Sequence, residues 1–483
     1  MTTVSRSTKV DPKKDVLDTR PAIFGREVTS TFRKYWSIKH KPPGNIRTCW
    51  IPPIVFGSVF LNLPKLLKLR FYLKKERKAR LAKDPNDISV LYYSDCLDET
   101  NGIANNLRNV IPYMRAHGMK AGLMGNVFNT RPCGVVENGY CILLPRMFSM
   151  EQLGYANSEL AIPRVSPVLR LLKRYPVDII ELETPSPGAW LICFCGMVAG
   201  IKVMSHYRTD VPQYTRTLVK AKWMHYYVLK LMQIFYWMAR PVVSPCDDYS
   251  NALIHELKVP EKQVRLMPRG LPLDRFQASM RGKGTWEKFG CTREQRPVRF
   301  AFIGRISKEK NLEFLNSVWK KFAAKHDDVE LMYVGYGWYL EEIKAEFAKT
   351  DIKDSVHFAG EQGGETLAGL YADADFFLFP STTDTFGNVV VEAMSTGTPA
   401  LVSNYGGPRD IVGSEKHGKI LPIEEDKWLE ALEECRKLKL ENETAYEQMR
   451  KDCHERSTRY TLENAAKAQF EYFHEIVKEA YRV

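Results

Sequence analysis

Two carboxylates, Asp384 and Glu392, stand with seven residues between them. They flank Gly387, which opens an amphipathic helix after the apolar run Phe376-Phe-Leu-Phe379. A helix start offers unpaired N–H groups and a partial positive charge to an anion. Phe386, Gly387 and Asn388 would present those amides, while the two acids are suited to gripping the hydroxyls of a polyol. A sugar carrying phosphate fits both halves. Equally, Asp384 can be an ordinary capping carboxylate and Glu392 a solvated surface acid, and the segment alone leaves both readings open.

Similar residues recur at the ends of neighbouring predicted strands. Ile303-Gly304-Arg305 closes one strand, and Lys308-Glu309-Lys310-Asn311 precedes the next helix; Arg305 and Lys310 could neutralise a diphosphate. Gly335-Tyr-Gly337 closes a second strand, Phe358-Ala-Gly360-Glu361 a third, and Gly406-Gly407-Pro-Arg-Asp410 a fifth. Five turns of glycine, base and acid along one sheet edge point to a shared ligand, because open α/β sheets bind beyond the carboxyl ends of their strands. Asp373-Ala-Asp375 imitates a metal-binding pair, but it lies between a helix and an apolar strand, and no metal is expected there.

These turns need a scaffold of alternating strands and helices. Strands are expected at 88–93, 119–124, 141–144, 178–182, 202–206, 241–244 and 263–267, then at 298–303, 329–334, 355–359, 376–380, 399–403 and 419–421. Alternation of this kind gives a parallel sheet covered on both faces, here twice. In the first half, Asn101-Gly102 at a helix start would let a phosphate approach the backbone, or simply make a turn. A long helix near 215–239 mixes cations with aromatics and reads as core or as a membrane contact.

With 483 residues the chain exceeds one core. The division read from composition is a basic extension at 1–86, an acceptor domain at 87–276, a linker at 277–296, a donor domain at 297–459, and a helix at 460–483 packing across both. The net charge of +13 is concentrated: residues 1–86 hold twenty Lys or Arg against six Asp or Glu. Thr48–Pro64 is uncharged but contains three prolines, marginal for a spanning helix. The basic run Lys65–Arg80 has the composition of a helix lying on an anionic bilayer, or of one packed on the body with a solvated basic face. No aromatic-interleaved groove accompanies it, so nucleic acid is not expected. Ten scattered cysteines without Cys-x-x-Cys suit a reduced compartment, and the first residues lack an apolar signal region.

The ordered blocks Asp95…Asn101-Gly102, Glu183-Thr-Pro-Ser-Pro-Gly188, Tyr207-Arg208-Thr-Asp210, Pro268-Arg-Gly270, Gly304-Arg305…Lys310-Asn311, Asp384-Thr-Phe-Gly387…Glu392 and Gly406-Gly-Pro408 resemble those of the retaining glycosyltransferases of family 4. That resemblance implies the GT-B fold: two Rossmann-like, doubly wound α/β domains facing a central cleft. It also implies roles. Arg305 and Lys310 would hold the donor diphosphate and stabilise its departure, with Asp384 and the amides of Phe386, Gly387 and Asn388 on the transferred sugar. Glu392 would take the ribose, Gly335 would close a turn beside the donor, and the turn at Gly360-Glu361 would meet the base. Gly102 would close on the phosphate, with Asn101, Arg208 and Asp210 on the substrate side. Asp384 replaces the Glu common in relatives, and Arg208 stands where many carry His; a permanent cation cannot shuttle protons. His206 is expected on the other side of the chain and does not inherit that role.

The resulting expectation is a metal-independent hexosyltransferase using a UDP- or GDP-sugar as substrate, with no cofactor. Its acceptor would be a membrane lipid or lipid-linked sugar, reached by peripheral attachment of residues 48–83 at the cytoplasmic face of a membrane. The alternatives are a soluble acceptor in the cytoplasm, or a catalytically silent scaffold.

Overall fold

The structure, a computed structural model, describes residues 51–95, 97, 102–126, 136–137, 141–151, 159–218, 221–267, 269–293 and 296–481. The stretch 1–48 and Asn101 therefore lie outside the described residues. The chain divides into two compact units: one comprises 1–243, 253–265 and 466–483, the other 244–252 and 266–465.

The first unit is built on β1 (Ser89–Tyr93), β2 (Lys120–Asn126), β3 (Val136–Glu137), β4 (Cys141–Leu144), β7 (Ile179–Leu182), β8 (Lys202–His206), β9 (Val242–Ser244) and β10 (Val264–Leu266), with β5 (Arg146–Glu151) and β6 (Glu159–Pro163) forming a separate antiparallel pair. The sheet runs β10-β9-β8-β7-β1-β2-β4-β3. From β9 to β4 the described pairings are parallel, and β3 is antiparallel to β4. Strand order reverses direction between β1 and β7, where ligands of open α/β sheets bind.

The second unit has β11 (Val298–Ile303), β12 (Val329–Val334), β13 (Val356–Gly360), β14 (Phe376–Phe379), β15 (Ala400–Ser403) and β16 (Gly418–Leu421), in the order β13-β12-β11-β14-β15-β16 and parallel throughout. β11, β12, β14 and β15 are buried along their whole length, as their near-continuous apolar runs require. Phe300 stacks on Phe376, and Phe302 on Phe379, across the pair that brackets the reversal point.

The segment expected as a linker, 277–296, is part of the second unit. Trp286 is fully buried and donates its indole N–H to Leu370 O at 3.0 Å. The Asp-Ala-Asp pair explains why. Asp373 accepts from the amides of Gly282 and Thr285, and Asp375 is bonded by Arg281 and Arg296. A glycine- and charge-rich stretch reads as a linker by composition, yet two buried acids pin it to the fold. The helix Leu462–Tyr481 begins in the second unit and belongs to the first from Ala466 onward.

The described part of the extension, residues 51–86, is integral to the first unit. Ile51–Leu61 is helical despite Pro52 and Pro53, which occupy its first turn, where prolines lack nothing the helix needs. Leu63–Leu81 buries Leu66, Leu69, Leu73, Arg77 and Leu81 on one stripe. Arg77 donates to Asp178 Oδ1 (3.0 Å) and to the carbonyls of Val177 and Gly200, while Arg80 bonds both Asp178 oxygens at 2.7 Å. Tyr481 closes the same spot. Its hydroxyl donates to Asp178 O and accepts from Lys202 N, and the Arg77 guanidinium lies 3.8 Å over its ring. The packed alternative therefore describes one face of the basic helix. Its other face leaves Lys65, Lys68, Arg70, Lys74, Lys75 and Lys78 in solvent beside Phe71. Among the described residues, no helix is long and apolar enough to cross a membrane.

Candidate active site

In the second unit, the turn after β11 and the loop after β14 meet across the reversal point. Lys310 Nζ bonds both oxygens of Asp384, at 3.0 and 2.8 Å. Lys310 reaches there because the short helical turn Lys308–Lys310 ends at Asn311, whose positive φ of 59° redirects the chain. Asp384 is thus not a helix cap. The helix Asn388–Ser395 starts at Gly387 (φ 94°) without a side-chain cap, so its first amides stay open to a ligand. Arg305 remains exposed, in a loose contact with Glu309 at 3.4 Å.

Glycines bring the backbone of these turns together. A Cβ on Gly335 (φ 135°) would come within 1.9 Å of Gly304 O, and the Gly335 amide donates to Gly360 O at 2.7 Å. A Cβ on Gly406 would meet Asp384 O at 2.4 Å, and Gly407 N donates to that same carbonyl. Phe386 is buried edge-on to Tyr460, which anchors the loop from below. Glu361 stays exposed at the end of β13.

Glu392 is partly buried and accepts from Tyr371 Oη at 3.0 Å. Burial pushes its carboxyl up to about 7, against the lowering pull of the Tyr371 bond and of Arg275. It is therefore an acid held at the edge of ionisation, ready to accept hydroxyl donors once it loses its proton.

In the first unit, charged groups cluster at the ends of β7 and β8. Arg208 Nε donates to Glu183 Oε2 at 2.7 Å, and Arg208 also reaches Asn106 Oδ1 at 3.4 Å. His206 Nδ1 is ion-paired with Glu181 and lies 3.5 Å from Glu183. His206 and Arg208 thus converge on one carboxylate, correcting the expectation that they face opposite sides: residues two apart on an extended strand share a face. Burial alone would raise the Glu183 pKa, but Arg208 and His206 hold it down to about 2. For His206, burial and Arg208 oppose protonation, yet the two glutamates outweigh them and raise its pKa.

Asp95, after β1, is buried with Tyr93 and Asn126 and pushed up to about 7 by burial, against bonds from Ser186 and Tyr93. Gly102 opens the helix Gly102–Ala116, and Asp210 precedes Val211–Leu218. Gly102, Arg208 and Asp210 belong to this unit, and the other described site residues to the second. Tyr371, Glu181 and His206 were assigned no role from sequence. A signal existed for the glutamate, since an acid inside the apolar strand Ile179–Leu182 must find a counter-charge.

Among the described residues, two groups have donor atoms close enough for a cation, Glu181–Glu183–His206 and Cys291–Glu330–His357. Each already has cationic company: Arg208 on Glu183, and Arg293 and Arg299 at 3.3 and 3.9 Å from Glu330.

Residues 100–275 match the family model described as Glycosyltransferase Family 4, and residues 287–458 match Glycosyl transferases group 1. Sulfoquinovosyl transferase SQD2 of Arabidopsis thaliana is 25% identical over 352 residues, 72% of this chain and 63% of that relative's length. Alpha-monoglucosyldiacylglycerol synthase of Streptococcus pneumoniae is 24% identical over 345 residues, 70% of this chain and 75% of the relative. Among solved structures, Anabaena HepE in complex with UDP superposes with a TM-score of 0.62 at 17% identity, covering 80% of this chain and 99% of HepE.

Proposed function

Because the chain belongs to the family 4 glycosyltransferases and has their GT-B fold, we propose that it is a retaining hexosyltransferase that takes a UDP- or GDP-linked sugar and glycosylates a membrane lipid or lipid-linked acceptor. The observation that carries the donor half is the Lys310–Asp384 bond across the reversal point of the second sheet, beside an uncapped helix start. The ammonium has three donors, of which two are engaged, so one is left for a diphosphate oxygen. Arg305 supplies a second cation from solvent. Together they would stabilise the charge that grows on the leaving diphosphate, the work a metal does in other transferases, and we propose a reaction independent of metal and cofactor. Asp384, the amides at Phe386 to Asn388 and Glu392 would hold sugar and ribose hydroxyls.

In the first unit, Arg208 has spent its charge on Glu183, so it acts as a fixed cation and not as a proton carrier. Retention would then proceed on one face of the sugar, with the departing phosphate accepting the acceptor's proton.

The lipid acceptor rests on two supports. One of the relatives named above is, by its name, an alpha-monoglucosyldiacylglycerol synthase. The extension also exposes Phe56, Phe60, Leu61 and Phe71 next to six cations, the chemistry of peripheral attachment to the cytoplasmic face of a membrane. Donor hydrolysis and transfer to lipid, measured in EDTA, test the reading. Lys310→Ala should abolish both with the fold intact, and unchanged turnover would overturn the site. A thermal-shift panel of UDP, GDP and their sugars separates the two bases.

A further inference from the structure

The helix Lys222–Met238 carries two apolar faces, and only one is used by the fold. Met224, Met232, Phe235 and Tyr236 are buried. The residues that reach solvent are Lys222, Trp223, Tyr226, Lys230, Ile234 and Trp237. From Trp223 onward their spacing is three, four, four and three, so they form one stripe about 21 Å long on the side away from the core. Trp223 is 58% exposed, Tyr226 64%, Ile234 49% and Trp237 53%. A folded monomer has no use for so large an exposed aromatic row.

Two features identify what covers it. The first is charge: the helix contains no Asp or Glu. Lys230 Nζ lies 5.3 Å from the Tyr226 ring and the Arg240 guanidinium 4.9 Å from the Trp237 ring. Trp and Tyr alternating with cations that hold their heads beside the rings is the pattern of a bilayer interface. The second is proximity to the extension within one unit. On the buried side, the helix Pro187–Val198 joins them, with Phe56 4.7 Å from Phe194, Phe194 6.1 Å from Trp190, and Trp190 5.5 Å from the buried Phe235.

We propose that the stripe Trp223, Tyr226, Lys230, Ile234 and Trp237 is a second membrane-docking element, which lies in the headgroup region of an anionic bilayer. The proposal rests on the lipid-surface reading for its occupant and deepens it. It assigns orientation to a helix outside residues 48–83, so the first unit docks by two elements rather than by one tethered segment.

The test uses the full chain and sedimentation with vesicles of phosphatidylcholine alone or mixed with phosphatidylglycerol. Trp223→Ser with Trp237→Ser should weaken partition to the anionic vesicles by about tenfold, the effect of roughly 1.4 kcal/mol. The same variant should lose most of the tryptophan quenching caused by brominated lipid, with the thermal midpoint and nucleotide binding unchanged. Should that pair fold poorly, Tyr226→Ser with Ile234→Ser replaces it. Partition and quenching equal to the parent would overturn the proposal. So would a parent dimer that the variant converts to monomer without any change in lipid binding, since a second copy would then be the occupant. Stripe-dependent binding without glycosyl transfer to any lipid would remove the acceptor reading and leave the docking element standing.

Discussion

Nucleotide-sugar binding should release a proton from Glu392. Its carboxyl sits near pKa 7 in the ligand-free fold, against 4.5 for a free glutamate. Ribose hydroxyls donate to the ionised form, so a bound donor selects the carboxylate. Below pH 7 binding must first remove the proton, and affinity falls by about tenfold for each unit. Between pH 8 and pH 5.5 the loss is about 30-fold, or roughly 2 kcal/mol. Calorimetry with an intact UDP- or GDP-sugar, whose diphosphate does not titrate in this range, measures it, and buffers of different ionisation enthalpy count the proton. Glu392→Gln keeps an acceptor for Tyr371 but cannot ionise, so its dissociation constant should be flat with pH. A flat parent curve, or a slope that survives in the glutamine variant, refutes the reasoning. Stability carries the same signature with a definite sign. The raised carboxyl favours the ligand-free fold fully below about pH 4.5, and that contribution of about 3 kcal/mol is lost as the pH rises through 7. Heat denaturation of the parent and Glu392→Gln across that window compares them.

Three further outcomes follow from geometry. Gly335→Ala drives a methyl group into the Gly304 carbonyl at a positive φ, so it should cost about 3 kcal/mol or more and abolish donor binding, read by chemical denaturation and thermal shift. Arg77→Met leaves Asp178 buried with one arginine fewer, and should cost about 3–5 kcal/mol in urea unfolding. Arg208→Met should cost a similar amount and be partly rescued by Glu183→Gln. The contribution of Glu183 is full above about pH 4.5, the ordinary value for a free glutamate. It disappears as the pH falls towards 2, which acid titration of the parent checks.

The strands were legible because their apolar runs are long and their turns carry glycine. Every strand of the second sheet falls within a residue or two of its expected position. The Lys310–Asp384 bond was not legible, since the partners lie 74 residues apart and only the strand order brings their turns together. Composition misassigned 277–296 because buried counter-acids at 373 and 375 outweigh local glycine content. The expected helix near 215–239 is two helices, Val211–Leu218 and Lys222–Met238. Its aromatics divide between core and solvent, a division set by which side meets Trp190 and Tyr207. For the basic run, composition suggested a helix but could not show that Asp178, about a hundred residues later, would claim Arg77 and Arg80.

The Tyr481 hydroxyl bridging Asp178 and Lys202 has a consequence for synthesis. The bond to Asp178 spans 303 residues, so the ribosome delivers the whole of 266–465 before this clasp can form. The second unit has all six of its strands by then and is free to fold around its own local contacts. The first unit, although translated earlier, must wait with the amide of Lys202 uncovered at the start of β8. The half of the protein that is made first is completed last.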